Sequence, residues 1–145
     1  MSLDDLYKEV ILDHYKSPRN KRPLSDATVS RHKNNPLCGD EITVHARVED
    51  GKITEVAFEG QGCSISQASA SMLTESVAGK TVDDAKGLAS EFRSMMEGKA
   101  DPDEDAFGDL LALKGVVKYP VRIKCAVLGW DVLQEALGEP AEPIP

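Results

Sequence analysis

Leu3, Leu6, Val10 and Ile11 recur at helical spacing, and the pattern predicts an amphipathic helix over residues 3–16. Ser2-Leu3-Asp4-Asp5 reads as a capping-box-like start, with aspartate in place of the usual Glu or Gln. Ser17-Pro18 ends the helix, because the residue before a proline avoids helical geometry. Residues 18–37 are polar and predict a long loop, with a further strand placed over 27–33. From Ile42 to Glu49 the pattern changes to alternation. Ile42, Val44, Ala46 and Val48 point one way, and Thr43, His45 and Arg47 the other, as in a half-buried strand. Glu49-Asp50-Gly51-Lys52 is a hairpin turn, and Ile53–Glu59 returns with Val56 and Phe58 inward.

Helical spacing then resumes over about 65–78, with Ile65, Ala68, Met72 and Leu73 on the stripe, Ser64 or Ser66 as cap and Gly79 as stop. Thr81-Val82-Asp83-Asp84 opens another helix, to about Glu97. The acidic stretch 98–109 predicts a mobile loop, and Leu110–Val116 a short helical segment. Pro120 interrupts the chain before a last helix, Arg122–Leu137, that buries Ile123, Val127, Trp130, Leu133 and Leu137. The whole reads as one domain over residues 1–138, followed by a disordered tail, 139–145, that holds three prolines.

Composition adds constraints. The 145 residues are 41% hydrophobic, enough for a core that needs no metal to form. No apolar run approaches the roughly 20 residues of a membrane helix, and the acidic start lacks the features of a signal peptide, so a cytoplasmic location is expected. The net charge of −8 argues against nucleic acid as a partner. Lys16, Arg19, Lys21, Arg22, Arg31 and Lys33 nevertheless cluster early. They read either as a solvated face or as a docking patch for an acidic protein.

Three cysteines is an odd number, which disfavours a disulfide framework and leaves the thiols as ligands, nucleophiles or core residues. Each sits beside a glycine or at a helix start. Cys38-Gly39-Asp40 precedes the first strand of the hairpin, Cys63 follows Gly60-Gln61-Gly62, and Cys125 is placed in the first turn of the last helix. Helix N-termini and the neighbouring Arg122 and Lys124 favour thiolate. Gly39 permits the tight backbone that turns Cys38 and Asp40 toward one ion. With Cys63 and Cys125 they make three sulfurs and one oxygen, a tetrahedral set acceptable to zinc, and Lys124 and Arg122 are placed to offset its excess negative charge. No Cys-x-x-Cys pair is present. His14, His32 and His45 are read as surface residues, which leaves a cysteine hydrolase without its histidine.

The segments around these ligands are more specific than their spacing. Asp13-His14-Tyr15-Lys16-Ser17-Pro18-Arg19-Asn20, Asn35-Pro36-Leu37-Cys38-Gly39-Asp40, Gly60-Gln61-Gly62-Cys63-Ser64-Ile65-Ser66 with Ala68-Ser69-Ala70-Ser71, and Tyr119-Pro120-Val121-Arg122-Ile123-Lys124-Cys125 occur in that order. Together they resemble the U-type iron–sulfur cluster assembly proteins (IscU/SufU-like, NifU N-terminal-like) from about Leu3 to Leu137. The resemblance implies an α+β domain, with a three-stranded antiparallel sheet, helices packed on one face and the metal site at one end. It carries the ligands onto Cys38, Asp40, Cys63 and Cys125.

Lys124 stands where the scaffold branch usually has a histidine, and the stretch between Cys63 and Cys125 is long; both look like the SufU branch. That branch implies Zn2+ as cofactor and a SufS-type cysteine desulfurase as partner, alongside other iron–sulfur assembly proteins. It also implies a sulfur-transfer protein rather than a stand-alone enzyme. Cys38 is the expected persulfide acceptor, because its glycine-adjacent loop can swing while Cys125 is held on a helix. Two alternatives stand beside this reading. One is a scaffold for a transient [2Fe–2S] cluster, with iron in place of zinc; the other is an interaction module with a purely structural zinc.

Overall fold

The computed structural model describes residues 3–35, 39–99 and 104–138. The alternating stretch forms β2 (Asp40–Glu49), which pairs antiparallel with β1 (Val29–Asn35) on one side and β3 (Lys52–Gln61) on the other. Val44 lies opposite Arg31 on β1 and Phe58 on β3. Asp50 and Gly51 both take positive φ, 52° and 76°, as a two-residue hairpin matched to strand twist requires. The even positions of β2 (Ile42, Val44, Ala46) are fully buried and face the helices.

The expected strand at 27–33 is present two residues later, at 29–35. The preceding loop is ordered by the sheet. Phe58 N–H donates to Asn20 O and Arg22 N–H to Phe58 O, each at 3.0 Å, so residues 20–22 cover the open edge of β3.

Among the described residues five helices complete the α+β architecture: α1 (Leu3–Lys16), α2 (Ser64–Val77), α3 (Val82–Met96), a single turn α4 (Glu104–Phe107) and α5 (Pro120–Ala136). A 3₁₀ segment, Gly108–Lys118, joins the last two. It contains the short helical segment expected at Leu110–Val116, while α4 is a helical turn within the stretch 98–109 that was expected to be a loop, of which residues 100–103 lie outside the described residues. α5 packs against β1 and β2, and α2 fills the space between α1, α5 and β3.

α5 is buried on nearly every side from Cys125 to Gln134, rather than along one stripe, because it is covered by the sheet, α2 and α3. α1 docks through Tyr7, Val10 and Ile11, one position round from the expected face, and Leu6 is left exposed. Among the described residues no helix is long and apolar enough to cross a membrane.

Three of the six residues of the early basic cluster form ion pairs within the chain. Arg19 meets Asp13 and Glu75, Arg22 meets Glu55, and Lys33 meets Glu135. Those intramolecular pairs support the solvated-face reading over the docking patch.

Candidate metal centre

Three chain segments converge at one end of the sheet. β2 begins with Asp40, whose carboxylate is fully buried. β3 ends one residue before Gly62, and Cys63 then caps α2 with its own sulfur, accepting from Ser66 N–H at 3.5 Å. The cap is therefore Cys63, where Ser64 or Ser66 was expected. The third segment is α5. Pro120, expected as a break, is the first residue of this helix, a position where its missing N–H costs nothing. Cys125 consequently lies in the second turn rather than the first, fully buried, with Sγ 3.9 Å from Val121 O. Burial, more than the helix dipole, defines its surroundings. Ser69 Oγ donates to Ala126 O at 2.6 Å and ties α5 to α2 one residue beyond Cys125.

One ligand atom each from Asp40, Cys63 and Cys125 lie within 4.8 Å of one another. Cys63 N–H donates to Asp40 Oδ1 at 2.8 Å, and Cys63 Sγ lies 3.6 Å from Asp40 Oδ2. In a tetrahedral zinc site a sulfur about 2.3 Å and an oxygen about 2.0 Å from the ion are about 3.5 Å apart. The observed separation fits an ion held between them. Two thiols and a carboxylate also suit zinc better than a hard cation. Cys38, the fourth expected ligand and the expected acceptor, lies outside the described residues. Gly39 beside it takes φ +71° and donates its N–H to Asn35 O at 3.0 Å, a tight turn leading into Asp40.

Arg122 is exposed beside this cluster. Charge on the Cys63 sulfur, then hydrogen bonding to Cys125, holds its guanidinium above its ordinary value. Lys124 is exposed on the same helix, and among the described residues no contact joins it to the sulfurs.

Gly62 makes the close approach possible. A Cβ there would sit 2.1 Å from Asp40 Oδ1 and 2.8 Å from its Cγ, at a φ of +148°. Gly62→Ala is therefore expected to displace Asp40 and weaken zinc binding at least about tenfold, with a stability loss of about 1–3 kcal/mol. Competition against a chromophoric chelator, run beside urea denaturation, reads both. Unchanged affinity would show that Asp40 holds no metal.

His14 corrects an expectation. It is 1% exposed, not a surface residue. Nδ1 lies 2.8 Å from Ser71 Oγ and Nε2 2.9 Å from Asp109 Oδ2, joining α1 to α2 and to the 3₁₀ segment. Ser71 Oγ also accepts from Arg19 N–H at 2.8 Å, which leaves its own hydrogen to donate to Nδ1 and Nε2–H to donate to Asp109. The Ser–His–Asp order resembles a hydrolase triad, but Ser71 is fully buried and unreachable by substrate. Helical spacing contained the signal, since position 14 follows Val10 and Ile11 by four and three residues on the same face. His32 is exposed as expected, whereas His45 is half-buried on the polar face of β2, between Ser30 and Glu59.

Comparison with known proteins gives a consistent picture. The model of the family "NifU-like N terminal domain" matches residues 6–140. The zinc-dependent sulfurtransferase SufU of Bacillus subtilis is 46% identical over 138 residues, covering 95% of this chain and 93% of its own. The iron–sulfur cluster assembly scaffold protein IscU of Streptococcus pyogenes is 42% identical, over 93% of this chain and 84% of its own. Among solved structures, a protein described as a cluster assembly scaffold for the SUF system of Fervidobacterium islandicum AW-1 superposes with a TM-score of 0.85. It is 35% identical, over 94% of this chain and 99% of the other.

Proposed function

The chain belongs to the NifU-like N-terminal domain family, and from that membership we propose that it is a zinc-dependent sulfur acceptor, taking persulfide sulfur from a SufS-type cysteine desulfurase. It is an iron–sulfur cluster assembly protein of the IscU/SufU type. The observation that carries the finer reading is the convergence of Asp40, Cys63 and Cys125 within 4.8 Å at one end of the sheet. Asp40, Cys63 and Cys125 would hold the ion with Cys38 as fourth ligand. Zinc bound there supplies positive charge that keeps the thiols deprotonated at neutral pH.

Cys38 is the acceptor in this reading. Once a ligand from the partner takes its place in the site, the freed Cys38 thiolate attacks the terminal sulfur of the donor's persulfide, the donor's S–S bond breaks, and the donor cysteine leaves as a thiolate. The persulfide is then on Cys38, and no oxidant or reductant is consumed. Asp40, bonded to the Cys63 amide, keeps the site open to exchange, because a carboxylate is a harder ligand than a fourth thiolate. Arg122 lies beside the sulfurs and offsets their charge.

The test is desulfurase turnover, measured as sulfide released with and without the zinc-loaded chain, together with metal analysis of the same sample. Stimulation is expected, and Cys38→Ser is expected to remove it while leaving the fold intact. The second reading, a scaffold for a transient [2Fe–2S] cluster, draws on the likeness to proteins named IscU. Absence of stimulation, with iron and a visible chromophore in the purified protein, would select it.

A further inference from the structure

The polar face of the sheet, opposite the buried face of β2, carries a cluster of its own. Thr43 lies opposite His32 on β1 and Glu59 on β3, and Glu41 and His45 sit two residues before and after it on β2. Side chains two apart along a strand share a face, so His32, Glu41, His45 and Glu59 surround Thr43. They stand as two pairs of imidazole and carboxylate. His45 Nε2 lies 2.9 Å from Glu59 Oε1, and His32 Nε2 lies 3.9 Å from Glu41 Oε2. The other ring nitrogen of His45, Nδ1, is held by Ser30 Oγ at 2.7 Å. Arg47, on the same face of β2, is engaged by Asp26 and Glu49 and does not neutralise either carboxylate of the cluster.

We propose that His32, Glu41, His45 and Glu59 form a second metal site, distinct from the thiolate centre, that takes a divalent zinc ion. Two imidazoles and two carboxylates are a donor set that zinc accepts, and the two carboxylates balance its charge. Ser30 fixes the His45 ring through Nδ1 and leaves Nε2 facing the Glu59 carboxylate, the role that an outer hydrogen-bond partner plays behind a metal-bound histidine. A nitrogen and an oxygen on one tetrahedral zinc lie about 3.3 Å apart. Glu59 therefore has only to swing off the Nε2–H axis for the ion to take that proton's place, the proton passing to solvent. His32 and Glu41 complete the set by turning over Thr43. Their side chains are 54% and 43% exposed, and diagonal neighbours on adjacent strands are within reach of side chains this long. The pleat of β2 sets the two sites back to back. Asp40 is buried on the inner side, and Glu41 beside it points outward. An ion on the outer face is open to solvent and to exchange, whereas Asp40 and Cys125 of the thiolate centre are fully buried. The inference does not depend on the sulfur-acceptor reading.

The experiment is calorimetric titration of the zinc-loaded, desalted full chain with Zn2+. One further ion per chain is expected to bind. His32→Ala with His45→Ala is expected to abolish that second binding and to leave the first ion in place. Ser30→Ala is expected to weaken it about tenfold, through loss of the partner that orients the ring. Co2+ titrated into the same zinc-loaded protein identifies the donors, since an imidazole and carboxylate site gives weak visible bands without thiolate-to-metal charge transfer. That signature also reads the thiolate centre separately, so failure of one site is not mistaken for failure of the other. No binding beyond the thiolate-bound ion would overturn the proposal. So would a second ion that persists in the double histidine variant, or one that brings thiolate charge-transfer bands, because it then sits on other residues.

Discussion

Cys63→Ala is expected to lower zinc affinity by about two to three orders of magnitude while the protein stays folded. The estimate follows from the size of the whole interaction. A four-ligand structural zinc site is worth about 10–16 kcal/mol, and one ligand's share, about 2.5–4 kcal/mol, corresponds to roughly 60- to 800-fold. Cys63 contributes more than its share because its position organises the site. Its amide holds Asp40 Oδ1, its sulfur lies against Asp40 Oδ2, and the same sulfur caps α2. Loss of the cap adds about 1 kcal/mol to the cost in the metal-free protein.

Cys63→Asp supplies the control. It restores a capping oxygen and an anionic ligand, so the cap should recover and the affinity only partly, because oxygen is the harder donor. Chelator competition for affinity, and circular dichroism for helix content, report the two effects separately. An affinity for Cys63→Ala within a factor of about three of wild type would remove Cys63 from the site and the metal-centre assignment with it.

Much of the frame that holds this site is written in short-range pattern. Strict alternation at Ile42, Val44 and Ala46 specifies both the strand and its buried face, and Asp50-Gly51 specifies the turn. Those signals depend on neighbours one to four residues away. What the pattern could not supply are features set by distant partners. β1 reads Val-Ser-Arg-His-Lys-Asn-Asn, with almost no apolar periodicity, so the strand expected at 27–33 lies two residues later, at 29–35, where pairing with β2 sets its bounds. α5 carries apolar residues on more than one face because three elements cover it, and that is visible only once the layers are assembled. Pro120 admits two readings, break or first helical residue, and the choice moves Cys125 by a turn. His14 is buried by Ser71 and Asp109, 57 and 95 residues away. Asp40 and Cys63 stand out for a different reason, the adjacent Gly39 and Gly62 that permit their close approach, whereas Cys125, in the second turn of α5, carries no such local mark.

Trp130→Ala should produce the largest loss of stability, about 3–5 kcal/mol, with zinc affinity unchanged in the protein that remains folded. Trp130 is 1% exposed and stacks on Phe92 of α3, with ring centroids 4.8 Å apart and planes at 25°. It is the largest fully buried side chain and joins α5 to the helix outside the metal centre. Its removal leaves a cavity that a backbone held by the sheet, α2 and α3 cannot close. Among the described residues its indole Nε1 has no hydrogen-bond partner. Trp130→Phe removes that donor along with some volume, so its penalty should be well below that of alanine, about 1–2 kcal/mol. Urea denaturation of the chelator-treated protein measures both, and the midpoint should fall with little change in slope.

The contrast with Cys63→Ala is informative. If core and metal centre are energetically separate, the site variant loses zinc and keeps its fold, while the core variant loses stability and keeps its affinity. That separation is what an exchangeable centre needs, because a ligand can be given up to a partner only if the domain does not unfold when the metal's hold is loosened. A Trp130→Ala protein whose zinc affinity fell in step with its stability would show instead that metal and core fold as one unit, the behaviour of a structural zinc module.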